Sequence, residues 1–214
     1  IIKPSQKYIQ QADLTKTFVY FGLHVQPELT TNTLGGRYVN QYLAIQLLAK
    51  CLPKGVYLYV KEHPNMYNTR DPSGRFKEFY KMVSDIENVI LVSAETNTFE
   101  LIDSCEAVAT ITGTVGWEAF FQGKPALVFG NVFYKYFPGI YPIVSIADMQ
   151  SAIENIFSEK KVYNKQNVFR CLKALDVGAL DGTVDDGYLT ISLSQDSRRH
   201  SKDFLRILKN AIIT

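Results

Sequence analysis

The stretch that most constrains this chain is Ala107 to Asn131, AVATITGTVGWEAFFQGKPALVFGN. AVATI reads as a buried strand, Thr112, Gly113 and Thr114 as a sharp turn, and VGWEAFFQ as a helix. Gly123, Lys124 and Pro125 make a second turn into the buried strand ALVF. A strand, a helix and a strand joined this tightly form a βαβ unit, whose strands run parallel. Open parallel sheets bind ligands at the carboxyl edge of their strands, where the Thr112–Thr114 bend falls. The bend also opens a helix, whose first backbone N–H groups lack intrahelical partners. Thr114 is the expected N-cap, and Gly113 and Gly116 are expected to let a ligand approach the main chain. An anion, most naturally a phosphate, is the implied guest. Many βα turns carry Gly and Thr for geometry alone, so the reading gains weight only from a second phosphate-competent strand end.

The rest of the chain supplies one. Phe18 to Leu23 reads as the first strand, followed by His24-Val25-Gln26-Pro27-Glu28 and a polar loop to Gly36. A loop of that length after a strand is more often functional than filler. Apolar residues at helical spacing predict a helix over Arg37 to Cys51, stopped by Pro53 and Gly55. Val56 to Val60 is the second strand, and it ends in Lys61-Glu62-His63-Pro64-Asn65. His63 therefore falls on the same rim as the Thr112–Thr114 bend, and Pro64 restricts its backbone. A helix over Arg75 to Val83, a strand over Val89 to Val92 and a helix over Thr98 to Cys105 lead into the organising unit. Beyond Asn131 come an aromatic loop (Phe133, Tyr134, Tyr136, Phe137), a short strand within Ile140 to Val144, and helices over Ile146 to Phe157 and Val168 to Leu175. Asp176 to Gly187 reads as a loop and Ser197 to Ile213 as a terminal helix.

Alternating strands and helices predict an α/β fold, a doubly wound parallel sheet of Rossmann-like type with carboxyl-terminal helices. Residues 1–16 read as a linker, or as the stub of a missing N-terminal domain, and residues 17–214 as one nucleotide-binding domain with a helical end. A formal net charge of +2 is too small to argue for nucleic acid. Cys51, Cys105 and Cys171 form no C-x-x-C pair, which suggests neither a zinc site nor a disulfide framework and fits a reducing, cytoplasmic setting. No apolar run approaches the ~18 residues of a membrane span.

Three groups carry candidate chemistry. His63 can donate to a phosphate or serve as an acid toward a departing phosphate oxygen. Lys61 beside it adds positive charge, although Lys61 and Glu62 can equally be read as solvated. Thr112, Gly113 and Thr114 form the second group, with Glu118 one turn into the helix as an acceptor for ribose hydroxyls. His24, Gln26 and Glu28 form the third, offering a base in Glu28 or His24 and amide donors. Asn131 is expected to line the same cleft, and Trp117 to belong to the core. The Asp185-Asp186 pair lacks a neighbouring ligand pattern and is read as solvated rather than metal-binding. No nucleotide-binding glycine fingerprint, metalloprotease motif or nucleophile elbow occurs.

FVYFGLHVQPE, VYLYVKEHPN and ATITGTVGWEAFFQGKPALVFGN, in that order, resemble the capsule polysaccharide biosynthesis family, which includes Kdo-type transferases. The likeness runs over Phe18 to Val144. It implies the carboxyl-terminal, nucleotide-sugar-binding half of a two-domain GT-B glycosyltransferase, with no metal and no cofactor. The implied donor is a CMP-linked sugar such as CMP-Kdo, and the implied acceptor is a glycan. By the resemblance His63, with Pro64, meets the donor phosphate, while Gln26 and Glu28 face the cleft; taken with the loop reading, His63 and Glu28 are the expected catalytic residues. Thr112, Gly113 and Thr114 hold phosphate, and Glu118 binds ribose. The acceptor domain would precede this chain. Surface-glycan synthesis also leaves open a peripheral association with the inner membrane. Two other readings stand beside this one: a non-catalytic domain binding a glycan or an assembly partner through the aromatic loop, and a nucleotide-sugar epimerase.

Overall fold

A computed structural model describes residues 6–67, 75–76, 78–158 and 165–178. Seven strands, β1 (Ile9–Gln10), β2 (Phe18–Gly22), β3 (Tyr57–Lys61), β4 (Val89–Val92), β5 (Ala107–Thr110), β6 (Ala126–Val128) and β7 (Ile140–Pro142), form one sheet. Their order is β1-β4-β3-β2-β5-β6-β7, and every pairing is parallel. The expected α/β architecture is what the chain adopts. β2 lies at the centre, the chain winding outward to β3 and β4 on one side and to β5, β6 and β7 on the other. The crevice between β2 and β5 is thus the topological switch point, where such sheets take their ligands.

The strands read as unbroken apolar runs because both faces are covered: all four residues of β4 and of β5 are buried. Alternate positions divide between the faces. Val19, Phe21, Leu58 and Val60 pack with α2 (Gln41–Cys51), α3 (Phe79–Ser84) and α6 (Ile146–Ser158) through Ile45, Leu48, Val83 and Ile153. On the opposite face Phe18 stacks on Tyr59 at 4.2 Å, and the Tyr20 hydroxyl reaches Thr98 of α4 (Thr98–Ser104). α5 (Val115–Phe121) covers the same side, since a Cβ at Gly22 would meet Val115 at 3.2 Å. Each fully buried large apolar side chain contributes about 1.5–3 kcal/mol.

Several local expectations are corrected. Ile9–Gln10, within the stretch read as linker, pairs with β4 as the sheet's edge. The polar loop after His24 holds a short helix, α1 (Leu29–Leu34), with a 3₁₀ turn at Gly36–Val39 behind it. The helix expected from Arg37 starts at Gln41, because Asn40 leaves the helical backbone and caps it, accepting from the Tyr42 N–H. The helix expected from Arg75 starts at Phe79, because Arg75 is drawn into a buried ion pair. The chain divides into two units, Ile1–Lys165 and Gln166–Thr214. Of the second, residues 166–178 are described, all within α7 (Lys165–Gly178), which runs through Asp176, where a loop was expected to begin. Asp185, Asp186 and the expected helix over Ser197 to Ile213 lie outside the described residues. No described helix is long and apolar enough to cross a membrane.

Candidate functional site

A cleft of about 840 Å³ opens over the carboxyl ends of β2, β3 and β5. Of the residues singled out from the sequence, His24, Glu28, Lys61, His63, Pro64, Thr112, Gly113, Thr114 and Glu118 line it. They come from three separate chain segments, and His63 and Thr114 share the one cavity.

Each wall is built differently. At the end of β3, the exposed His63 is fixed by its own backbone: its N–H donates to Glu62 Oε1 at 2.8 Å. Its ring Nδ1 accepts from the Asn65 N–H at 3.2 Å, so in the neutral ring Nε2 carries the proton. Lys61 is buried, and its ammonium donates to the Thr96 carbonyl and to Thr98 Oγ1. Burial pushes its pKa down, and the Glu118 carboxylate opposes that shift.

At the end of β5, the helix start departs from the expected cap. Thr114 has helical backbone angles and makes no side-chain bond to the helix N–H groups; its hydroxyl donates to Glu118 Oε1 at 2.9 Å. The glycines also serve a different end from the one expected. A Cβ on Gly113 would lie 2.6 Å from His24 Cε1, and one on Gly116 would lie 2.7 Å from the Tyr134 hydroxyl. Both therefore make room for the protein's own side chains. The Tyr134 hydroxyl in turn donates to the Gly113 carbonyl, clamping the aromatic loop onto the bend.

At the end of β2, His24 is a structural hub. Its Nε2 accepts from the Ile111 N–H at 3.1 Å and the Thr112 N–H at 3.3 Å, and sits 3.0 Å from Thr110 Oγ1. Thr110 Oγ1 already accepts from the Gly113 N–H, so its own proton is free to point at the ring. Three donors on Nε2 hold the ring neutral with its proton on Nδ1. Burial is the main cause that pushes its pKa down to about 4; Glu28 opposes this, and Arg75 and His63 add to it. Glu28 takes the hydroxyls of Thr30 and Thr31, and Thr31 Oγ1 stands 3.2 Å from Thr112 Oγ1, joining this wall to the bend.

Two expected residues are elsewhere. Gln26 is absent from the lining: it is buried, its amide nitrogen donating to the Val39 carbonyl and its oxygen accepting from Arg75 Nη1 at 2.8 Å. Asn131 lines a second, smaller cleft, where Oδ1 accepts from Lys135 Nζ at 2.6 Å. Asn131 follows β6 by three residues, and β6 stands two places from β2 in the sheet.

Sequence reasoning missed Arg75 and misread Glu62. Arg75 and Glu62 are 2% and 1% exposed and form a two-pronged pair, Nε to Oε2 and Nη2 to Oε1, each 2.9 Å. The Tyr80 hydroxyl adds a third bond to Oε2, and Arg75 Nη2 donates to the His24 carbonyl at 2.6 Å. The glutamate read as solvated is thus the anchor beneath His63. No local pattern announces it; its partner stands thirteen residues on. Trp117, expected in the core, is half-buried within an aromatic cluster with Phe120, Phe121, Phe133, Tyr134 and Phe137. Among the described residues no three His, Cys, Asp or Glu side chains converge as metal ligands.

A family model described as capsule polysaccharide biosynthesis protein matches residues 39–167, more than half of the chain. The chain belongs to that family. The match takes in Lys61, His63, Pro64, the Thr112–Thr114 bend and Glu118, and begins after His24, Gln26 and Glu28. Among solved structures, this capsule biosynthesis protein is similar to UDP-GlcNAc 2-epimerase from Methanocaldococcus jannaschii, with 14% identity and a TM-score of 0.54; the match covers 81% of this chain and 48% of that one. It also matches Thermosulfurimonas dismutans KpsC, beta Kdo 2,4 transferase, with 17% identity and a TM-score of 0.45, covering 64% of this chain and 44% of that one. The chain spans less than half the length of either structure, and likeness at this level is one of fold. No curated protein matches the sequence.

Proposed function

We propose that this domain binds the nucleotide-sugar donor of a glycosyltransferase in capsule polysaccharide biosynthesis, gripping the donor's phosphate in the cleft between β2, β3 and β5. One observation carries the reading: Lys61, His63, the Thr112–Thr114 bend and Glu118, drawn from separate crossovers, converge on one cavity at the switch point. Its volume, about 840 Å³, suits a ligand of nucleotide-sugar size. Family membership supports the same reading, and the donor proposed is a CMP-linked sugar acid such as CMP-Kdo.

In this reading His63 Nε2–H donates to the phosphate oxygen as the bond from that oxygen to the sugar's anomeric carbon breaks. The bonding electrons leave with the nucleotide. An acceptor hydroxyl of the glycan forms the new bond to the anomeric carbon, and Glu28 takes its proton. Lys61 offsets phosphate charge from within the low-dielectric floor. Glu118, held by Thr114 through one oxygen, takes ribose hydroxyls through the other. A partner domain holding the acceptor, and contact with the inner membrane, belong to the same proposal. Calorimetric titration with CMP and with UDP tests it: saturable heat with one of them is expected. No heat with either at millimolar ligand overturns the reading. Conversion of UDP-GlcNAc without any acceptor would point to epimerisation instead.

A further inference from the structure

We infer that Tyr134 is a positioning residue for the proposed transfer: by holding the Gly113 carbonyl, it aims the Thr114 N–H at the ligand's phosphate. This deepens, and rests on, the reading of the main cleft as a phosphate-gripping site. The bend between β5 and α5 has few donors left to offer. Of its four backbone N–H groups from Ile111 to Thr114, the first two donate to His24 Nε2 and the third to Thr110 Oγ1. Its hydroxyl protons are engaged as well. Thr114 Oγ1 donates to Glu118, and Thr112 Oγ1 stands against Thr31 Oγ1, whose own proton goes to Glu28. Among the described residues the Thr114 N–H has no partner.

The direction of that N–H follows from the peptide that carries it. The Gly113–Thr114 bond is trans, and in a planar trans peptide the C=O and the N–H point to opposite sides. The Gly113 carbonyl faces the Tyr134 hydroxyl. Tyr134 is 2% exposed and is absent from the cleft lining, whereas Gly113 and Thr114 belong to it. The Thr114 N–H is therefore turned from the buried phenol toward the cavity. The phenol is itself well fixed, its ring packed on Trp117 and Phe133 with centroids 6.0 and 5.1 Å away. Gly116 leaves the space that the hydroxyl occupies, since a Cβ there would lie 2.7 Å from it. Burial, and after it the Glu118 carboxylate, push the Tyr134 pKa up, so the phenol keeps the proton it donates. His24 fixes one end of the bend and Tyr134 the other, which leaves a single donor preorganised for developing negative charge.

The test is a ¹⁵N NMR titration of the whole chain with CMP, with cytidine as the control that lacks the phosphate. In the wild type, CMP is expected to move the Thr114 amide signal saturably and further than those of Ile111, Thr112 and Gly113, and cytidine is expected not to. Tyr134→Phe keeps the ring and removes the hydroxyl. It is expected to weaken CMP about tenfold and, at saturating CMP, to shrink the Thr114 shift while the His63 ring shift keeps its full size. Gly116→Ala, which displaces the hydroxyl with Tyr134 intact, is expected to do the same. A Thr114 amide that CMP moves no further than its neighbours overturns the inference. So does a Tyr134→Phe protein that binds CMP as tightly as the wild type, or one in which the Thr114 and His63 shifts shrink together, the mark of a merely structural role. Should Tyr134→Phe fail to fold, Gly116→Ala and the wild-type comparison decide. If neither CMP nor UDP binds, the nucleotide-sugar reading fails and inorganic phosphate takes their place: a Thr114 amide that leads the response upholds the inference, and one that does not overturns it.

Discussion

His24 follows β2 and His63 follows the adjacent strand β3, and both line the main cleft. The first is 8% exposed, with its Nε2 committed to backbone N–H groups of the β5 turn. The second is exposed, with only Nδ1 committed, to an N–H two residues along its own chain. Burial and donor count make His24 a neutral brace that gives the bend its shape. The exposed ring keeps Nε2–H for a ligand. What separates the two corners is which atom of an identical side chain the fold has already used.

Removing Arg75 should erase that difference, and it is the largest effect expected. Arg75 anchors both corners, through the His24 carbonyl and through Glu62, which holds the His63 N–H. Arg75→Met should cost about 3–5 kcal/mol, the price of leaving the buried Glu62 charge unpaired. Chemical denaturation measures it, and a loss under about 1 kcal/mol, the scale of an exposed pair, would mean the corners stand independently.

His24→Ala comes next, at about 2–4 kcal/mol, since it leaves buried N–H groups unsatisfied and opens a void. The same histidine sets a pH dependence. Its folded pKa, about 4, lies below the unfolded value near 6.5, so the unfolded chain binds the proton first. Stability attributable to His24 is fully present above about pH 6.5 and is lost as pH falls toward 4, by up to about 3 kcal/mol. Denaturation at a series of pH values should show that slope, and His24→Gln should flatten it. An unchanged slope in the variant would assign the acid sensitivity elsewhere.

His63→Ala should do the reverse. Stability should stay within about 0.5 kcal/mol, as for other exposed positions, while affinity for the nucleotide falls about tenfold. A variant that unfolds more easily yet binds equally well would turn the comparison upside down.

The fold was largely legible because buried parallel strands advertise themselves. VILV at β4 and AVAT at β5 have no other plausible place than a sheet covered on both faces. The rim residues were legible for the same reason: strand ends fix where His63 and Thr112–Thr114 emerge. What resisted was long-range pairing of polar groups. Glu62 between Lys61 and His63 looks like one more solvated charge, and only the approach of Arg75 from a later segment makes burial affordable. Gln26 is turned inward by that same arginine. Gly113 and Gly116 signalled close approach correctly, but sequence cannot say whether a ligand or a neighbouring ring does the approaching. Asn131 was misassigned because strand order, on which its distance from β2 depends, leaves no local trace.

The most direct measurement is the imidazole spectrum of the chain during titration with CMP. The ring signals of His63 should move in a saturable way, with those of His24 shifting far less because its Nε2 is already held by the β5 turn. CMP binding that leaves the His63 ring unmoved, or that acts chiefly on His24, would contradict the assignment of the exposed imidazole to the donor phosphate.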